Sequence, residues 1–120
     1  VITDTAEVME RGIAAVEAAC REDMPGVLGL HLEGPFLDPG HKGAHTLSLL
    51  RPPDAAAVGR LLEAGRGTVR QVTLAPELPG ALAAVSSYIA SGVSIMVKRA
   101  PFSHRSTANW VSSPNFRSSR

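Results

Sequence analysis

Val27-Leu28-Gly29-Leu30-His31-Leu32-Glu33-Gly34-Pro35-Phe36-Leu37-Asp38 is an apolar run too short for an ordinary helix and broken by a Gly-Pro pair. That is the pattern of a buried strand running out into a loop. Side chains two apart on a strand share a face, so His31 and Glu33 point one way while Leu30 and Leu32 point the other. A carboxylate near the end of a buried strand is costly to desolvate unless a cation or metal meets it. Glu33 is therefore placed either for chemistry, as a hard ligand for a divalent metal, or for a structural ion pair with Lys42 in the loop that follows.

Outward from this strand the chain alternates. Toward the N-terminus, Val1-Ile2-Thr3 reads as the end of a strand, and Asp4 with Glu7 opens a helix running to about residue 21, with Val8, Gly12, Val16 and Ala19 facing inward. Asp23-Met24-Pro25-Gly26 breaks the chain before the central strand. Beyond the loop, Asp54 caps a second helix over 55–64, closed by Gly65 and Gly67. A β-branched strand follows over 68–74, then a helix from Pro79-Gly80 to about residue 90, then a strand over 93–97. Strand, helix, strand in this rhythm is the signature of a parallel α/β protein.

Composition sets the limits. A chain of 120 residues, 44% of them hydrophobic, has enough material for one modest core. The net charge of +1 hides an asymmetry, because every acidic residue lies at or before Glu77 while residues 98–120 hold five basic residues and no acid. This tail keeps neither a helical nor a strand period and reads as loop or disorder, divided from a body over 1–97. A short basic tail of this kind is ordinarily solvated, so nucleic acid is not expected as a partner. Cys20 is alone, excludes an internal disulfide and reads as a small core residue of the first helix, compatible with a reducing compartment. No run approaches the ~18 apolar residues of a membrane span. No membrane association is expected, and the expected location is cytoplasmic.

Three motifs in order carry a resemblance: His31-Leu32-Glu33-Gly34-Pro35-Phe36-Leu37, then Lys42-Gly43-Ala44-His45, then Val72-Thr73-Leu74-Ala75-Pro76-Glu77. Together they resemble the N-acetylglucosamine-6-phosphate deacetylase family of the amidohydrolase superfamily, over about residues 1–93. The resemblance implies a partial (β/α)8 TIM barrel of the metal-dependent amidohydrolase type. A complete barrel takes roughly 250 residues, so this chain would supply only part of one. The implied reaction is metal-assisted hydrolysis of the N-acetyl amide of an amino-sugar phosphate, giving glucosamine 6-phosphate and acetate. The implied cofactor is a divalent metal ion, zinc or iron, and the parent protein is expected to be a homo-oligomer.

The resemblance also assigns residues. Glu33 occupies the position of a metal ligand. Ala44 and His45 lie in the loop that covers the substrate in similar enzymes, with Gly43 letting backbone approach a ligand, Ala44 offering its amide or carbonyl and His45 a ring donor. His31 is part of the motif without being a ligand and is read as a histidine satisfied inside the barrel. The His41 and His45 pair is discounted as a metal site because Pro39, Gly40 and Gly43 oppose the helix it would need. Glu77 is read as structural.

In similar enzymes a strand like that over 92–97 runs into a Gly-His pair whose histidine binds metal, and a catalytic aspartate comes later. Neither occurs here, so no catalytic residue is assigned and the isolated chain is expected to be inactive. A frameshift near Lys98 would account for both the departure and the basic tail. The alternative is a non-catalytic truncated product or a binding-only fragment that uses that tail.

Overall fold

The computed structural model describes residues 1–98 and the backbone of Trp110 and Val111. Among the described residues three α-helices alternate with three strands, and a fourth strand follows: α1 (Ala6–Arg21), β1 (Leu30–Glu33), α2 (Ala55–Ala64), β2 (Val69–Leu74), α3 (Ala81–Ala90), β3 (Ser94–Val97) and β4 (Trp110–Val111). The sheet runs β1-β2-β3-β4. β1, β2 and β3 are parallel, each reached from the last through one helix, as parallel neighbours require. Ile2 adds a parallel bridge to Glu33 on the outer side of β1, so the expected strand end at the N-terminus is present as one rung.

The α/β reading therefore holds, and most element bounds fall within two residues of expectation. β1 shows the expected alternation: Leu30 and Leu32 are buried and His31 and Glu33 half-buried. The Asp54 cap is made, its Oδ1 accepting from Ala57 N at 2.8 Å.

Three details differ. The first helix is capped by Thr5, which accepts from Val8 N, while Asp4 accepts from Thr5 N. Its buried positions are Met9 and Ile13, one residue on from the expected Val8 and Gly12, because the long apolar side chains take the inward face. Cys20 is half-buried and stays out of the core, since it falls in the last turn before the chain breaks away.

The fourth strand departs from the loop expected beyond Val97: Trp110 and Val111 pair antiparallel with Met96 and Ile95. Backbone pairing with an open sheet edge needs no sequence period, so a two-residue strand leaves no signal. Lys98 extends the pairing of β3 with β2, its N–H donating to Leu74 O at 3.0 Å. The rest of the expected tail, 99–109 and 112–120, lies outside the described residues.

One contiguous core joins sheet and helices: Leu32, Phe36, Val72, Leu74 and Ile95 from the strands and their ends, with Met9, Ile13, Val58, Leu61, Ala84 and Tyr88 from the helices. α1 packs on α2 and α2 on α3, with Arg60 reaching Glu10 at 2.8 Å across the first of these contacts. This layer leaves the strands' C-terminal ends to carry the polar residues.

Candidate functional site

The site is built where the N-terminal segment, β1 and the loop after β1 meet. Glu33 ends β1 with its side chain about one-third exposed, and His45 folds back from the loop, 4% exposed. His45 Nε2 stands 3.3 Å from Glu33 Oε1, and Lys98 Nζ, just past β3, stands 3.6 Å from the same oxygen. The loop after β1 and the end of β3 thus converge on the carboxylate that ends β1.

The loop geometry explains how His45 arrives there. Gly34 follows β1 at φ +85, where an added Cβ would run into Thr3 Oγ1. A 3-10 turn over Pro39–His41 then redirects the chain, with Asp38 Oδ2 bonded to His41 Nδ1 at 2.5 Å. His41 is engaged by that contact within the turn. Lys42 is the residue expected to pair with Glu33, and it does not: its ammonium donates to the carbonyls of His45 at 3.3 Å and Gly43 at 3.4 Å. Lys98 takes that place because β3 ends beside β1's loop, a proximity only the sheet topology creates.

Thr3 ties the cluster together. It is 3% exposed, its hydroxyl donates to the Glu33 main-chain carbonyl at 3.0 Å, and the same oxygen lies 2.8 Å from His45 Nδ1. Sequence reading passed over Thr3; its position at the end of an N-terminal strand was the available signal. His31 is satisfied as expected, with Nε2 2.7 Å from Thr73 Oγ1 on the neighbouring strand. Ala44 is exposed at the loop's surface and Glu77 is exposed beyond the end of β2.

The electrostatics favour an anionic Glu33. Burial works to raise its carboxyl, but the His45 hydrogen bond and the charges of His45, Lys98 and His31 outweigh this and hold it below the usual carboxylate range. Burial pushes the His31 imidazole down, opposed by the charge of Glu33.

A carboxylate beside an imidazole is a suitable pair of donors for part of a divalent cation's shell. Among the described residues no group of three or more His, Cys, Asp or Glu side chains is placed to complete one. The described residues also contain no helix long and apolar enough to cross a membrane.

No family model matches the chain. Individual proteins do, and they define a class: deacetylases of N-acetylated amino-sugar phosphates. The chain is 34% identical over 98 residues to the N-acetylgalactosamine-6-phosphate deacetylase of Escherichia coli O157:H7, covering 80% of this chain and 26% of that protein. It is 38% identical over 77 residues to the N-acetylglucosamine-6-phosphate deacetylase of Lysinibacillus sphaericus, covering 64% of this chain and 20% of that one.

Its fold also matches a solved N-acetyl-D-glucosamine-6-phosphate deacetylase mutant of Mycobacterium smegmatis, in complex with N-acetyl-D-glucosamine-6-phosphate. The TM-score is 0.69 at 41% identity, over 79% of this chain and 24% of that chain. The chain thus spans about a quarter of the length of the relatives it matches. Its homologues are N-acetylglucosamine-6-phosphate deacetylases, with an N-acetylgalactosamine-6-phosphate deacetylase among them, and are therefore hydrolases.

Proposed function

We propose that this chain is a part of a metal-dependent N-acetylglucosamine-6-phosphate deacetylase, contributing several consecutive strands of a (β/α)8 barrel whose parent is a cytoplasmic homo-oligomer. The observation that carries the reading is the convergence of Glu33 and His45 at the C-terminal end of a parallel sheet, in a chain whose homologues share that activity. In barrel enzymes the chemistry sits at that end.

Glu33 would hold the divalent metal, zinc or iron, and Ala44 and His45 would bind the amino-sugar phosphate. When bound, the metal supplies Lewis-acid polarisation of the acetyl carbonyl. The chain's own residues do the positioning: β1 fixes the carboxylate, the turn after Asp38 brings the imidazole to it, and exposed Ala44 offers its backbone to the sugar. The boundary near residue 97 separates this barrel part from the basic tail.

Acetate release from N-acetylglucosamine 6-phosphate, measured on a full-length parent carrying these residues, tests the reading. Glu33→Gln should lower kcat/KM by at least about 100-fold, as loss of a metal ligand does. Full activity in that variant would overturn it. The 120-residue chain by itself should release no acetate.

A further inference from the structure

We infer that the Lys98 ammonium is an internal cation for Glu33, and that in this 120-residue chain it shields the carboxylate from a divalent metal ion. The inference rests on the proposed reading of Glu33 as a metal ligand and adds a residue that governs access to it. Paired residues of a parallel sheet share a face, and Glu33, Thr73 and Met96 stand in one row across β1, β2 and β3. Lys98 comes two residues after Met96 and so leaves the sheet on the Glu33 face. Its backbone is held there, because its N–H donates to Leu74 O at 3.0 Å.

From that anchor Nζ reaches to 3.6 Å from Glu33 Oε1. It also lies beside the Gly43 backbone, where an added Cβ would stand 3.4 Å from it. The ammonium is thus next to both the carboxylate that ends β1 and the loop that carries Ala44 and His45. A protonated lysine amine has three donors and no lone pair, so it cannot join a metal's shell and can only compete for the carboxylate. A dication approaching Glu33 meets a like charge already seated beside the same oxygen. Both side chains are about one-third exposed, so the pair adds little to stability. Its effect is on which cation the carboxylate takes.

Zinc(II) titrations of the uniformly 15N-labelled 120-residue chain, followed by the amide signals of Glu33, Gly43 and His45, read this without any turnover. Lys98→Met keeps the apolar stem and removes the charge, and it should bind zinc about tenfold more tightly than wild type. Lys98→Arg keeps the charge and should behave as wild type. Glu33→Gln added to Lys98→Met should abolish the gain. Lys98→Ala serves as the neutral variant if Lys98→Met does not fold.

Equal affinity in the wild-type and neutral chains, whether both bind zinc or both stay silent, overturns the inference. A gain that survives Glu33→Gln overturns it as well. The metal content of a full-length parent carrying Glu33→Gln decides the underlying reading separately: a parent that keeps its full metal content sinks that reading and leaves the Lys98 comparison standing.

Discussion

The two ends of the parallel sheet are finished differently. At the C-terminal end of the strands, Thr3, His31, Glu33, His45 and Thr73 form hydrogen-bonded sets that leave none of these side chains alone. At the N-terminal end, a cleft of about 310 Å³ is lined by Leu61, Val69, Tyr88 and Val93. Tyr88 is 1% exposed, and burial pushes its phenol well above the ordinary range. Among the described residues, Tyr88 Oη and Gln71 Nε2 are the buried side-chain polar atoms without a partner, and neither belongs to the polar cluster. An unsatisfied polar atom is often taken as a pointer to function. Here the pointer is the reverse, a cluster in which every one of these side chains has a partner.

The contrast can be broken most severely at Gly34. Gly34→Ala forces a side chain into a left-handed conformation and against Thr3 Oγ1, while Thr3 is held by two hydrogen bonds and cannot withdraw freely. The expected loss is roughly 3 kcal/mol or more of stability. The urea midpoint checks it, and the His45 ring signals should be disturbed with it.

A much smaller change of opposite sign is expected at the other end. Tyr88→Phe deletes a buried hydroxyl that has no partner among the described residues and keeps the ring in the core. It should leave stability unchanged or raise it by up to about 1 kcal/mol. A loss of about 2 kcal/mol in the same denaturation experiment would mean that the hydroxyl has a partner and that the two ends do not differ in this way.

The smallest effect belongs to the exposed Asp38–His41 pair in the turn that delivers His45. The His41 hydrogen bond holds the Asp38 carboxyl below the usual carboxylate range. A carboxyl depressed in the folded state contributes stability that is fully present above its unfolded value, about 3.9, and is lost as pH falls through its lower folded value. The difference in urea midpoint between wild type and Asp38→Asn should therefore shrink as the pH falls through the carboxyl's folded value. Because the pair is solvated, the difference should also be reduced by salt. A midpoint difference that grows on acidification would show that the turn is held by something else.

Much of this was legible in the sequence because it depends on local chemistry. The alternation of Leu30 and Leu32 against His31 and Glu33 fixed β1 and its polar face, and Asp54 with Gly65 bracketed α2 to the residue. The motifs placed Glu33 and His45 in one site, and the structure brings them together. What was not legible depends on topology. Lys98 reaches Glu33 only because β3 and β1 flank the same strand, and Lys42 lies nearer in sequence but is drawn to two carbonyls. Thr3 is a short residue in a short segment, and its role exists only once β1 lies beside it. The antiparallel pairing of Trp110 and Val111 is likewise an edge effect that no periodicity announces.

Strand order repeats chain order in this sheet, from the Ile2 rung through β1 and β2 to β3. During synthesis each strand emerges after the neighbour it must join, so no completed pairing has to open to admit a later one. Thr3, Glu33 and His45 all leave the ribosome ahead of β2. All three are thus available before β2 brings Thr73 to His31 and the end of β3 brings Lys98 to Glu33.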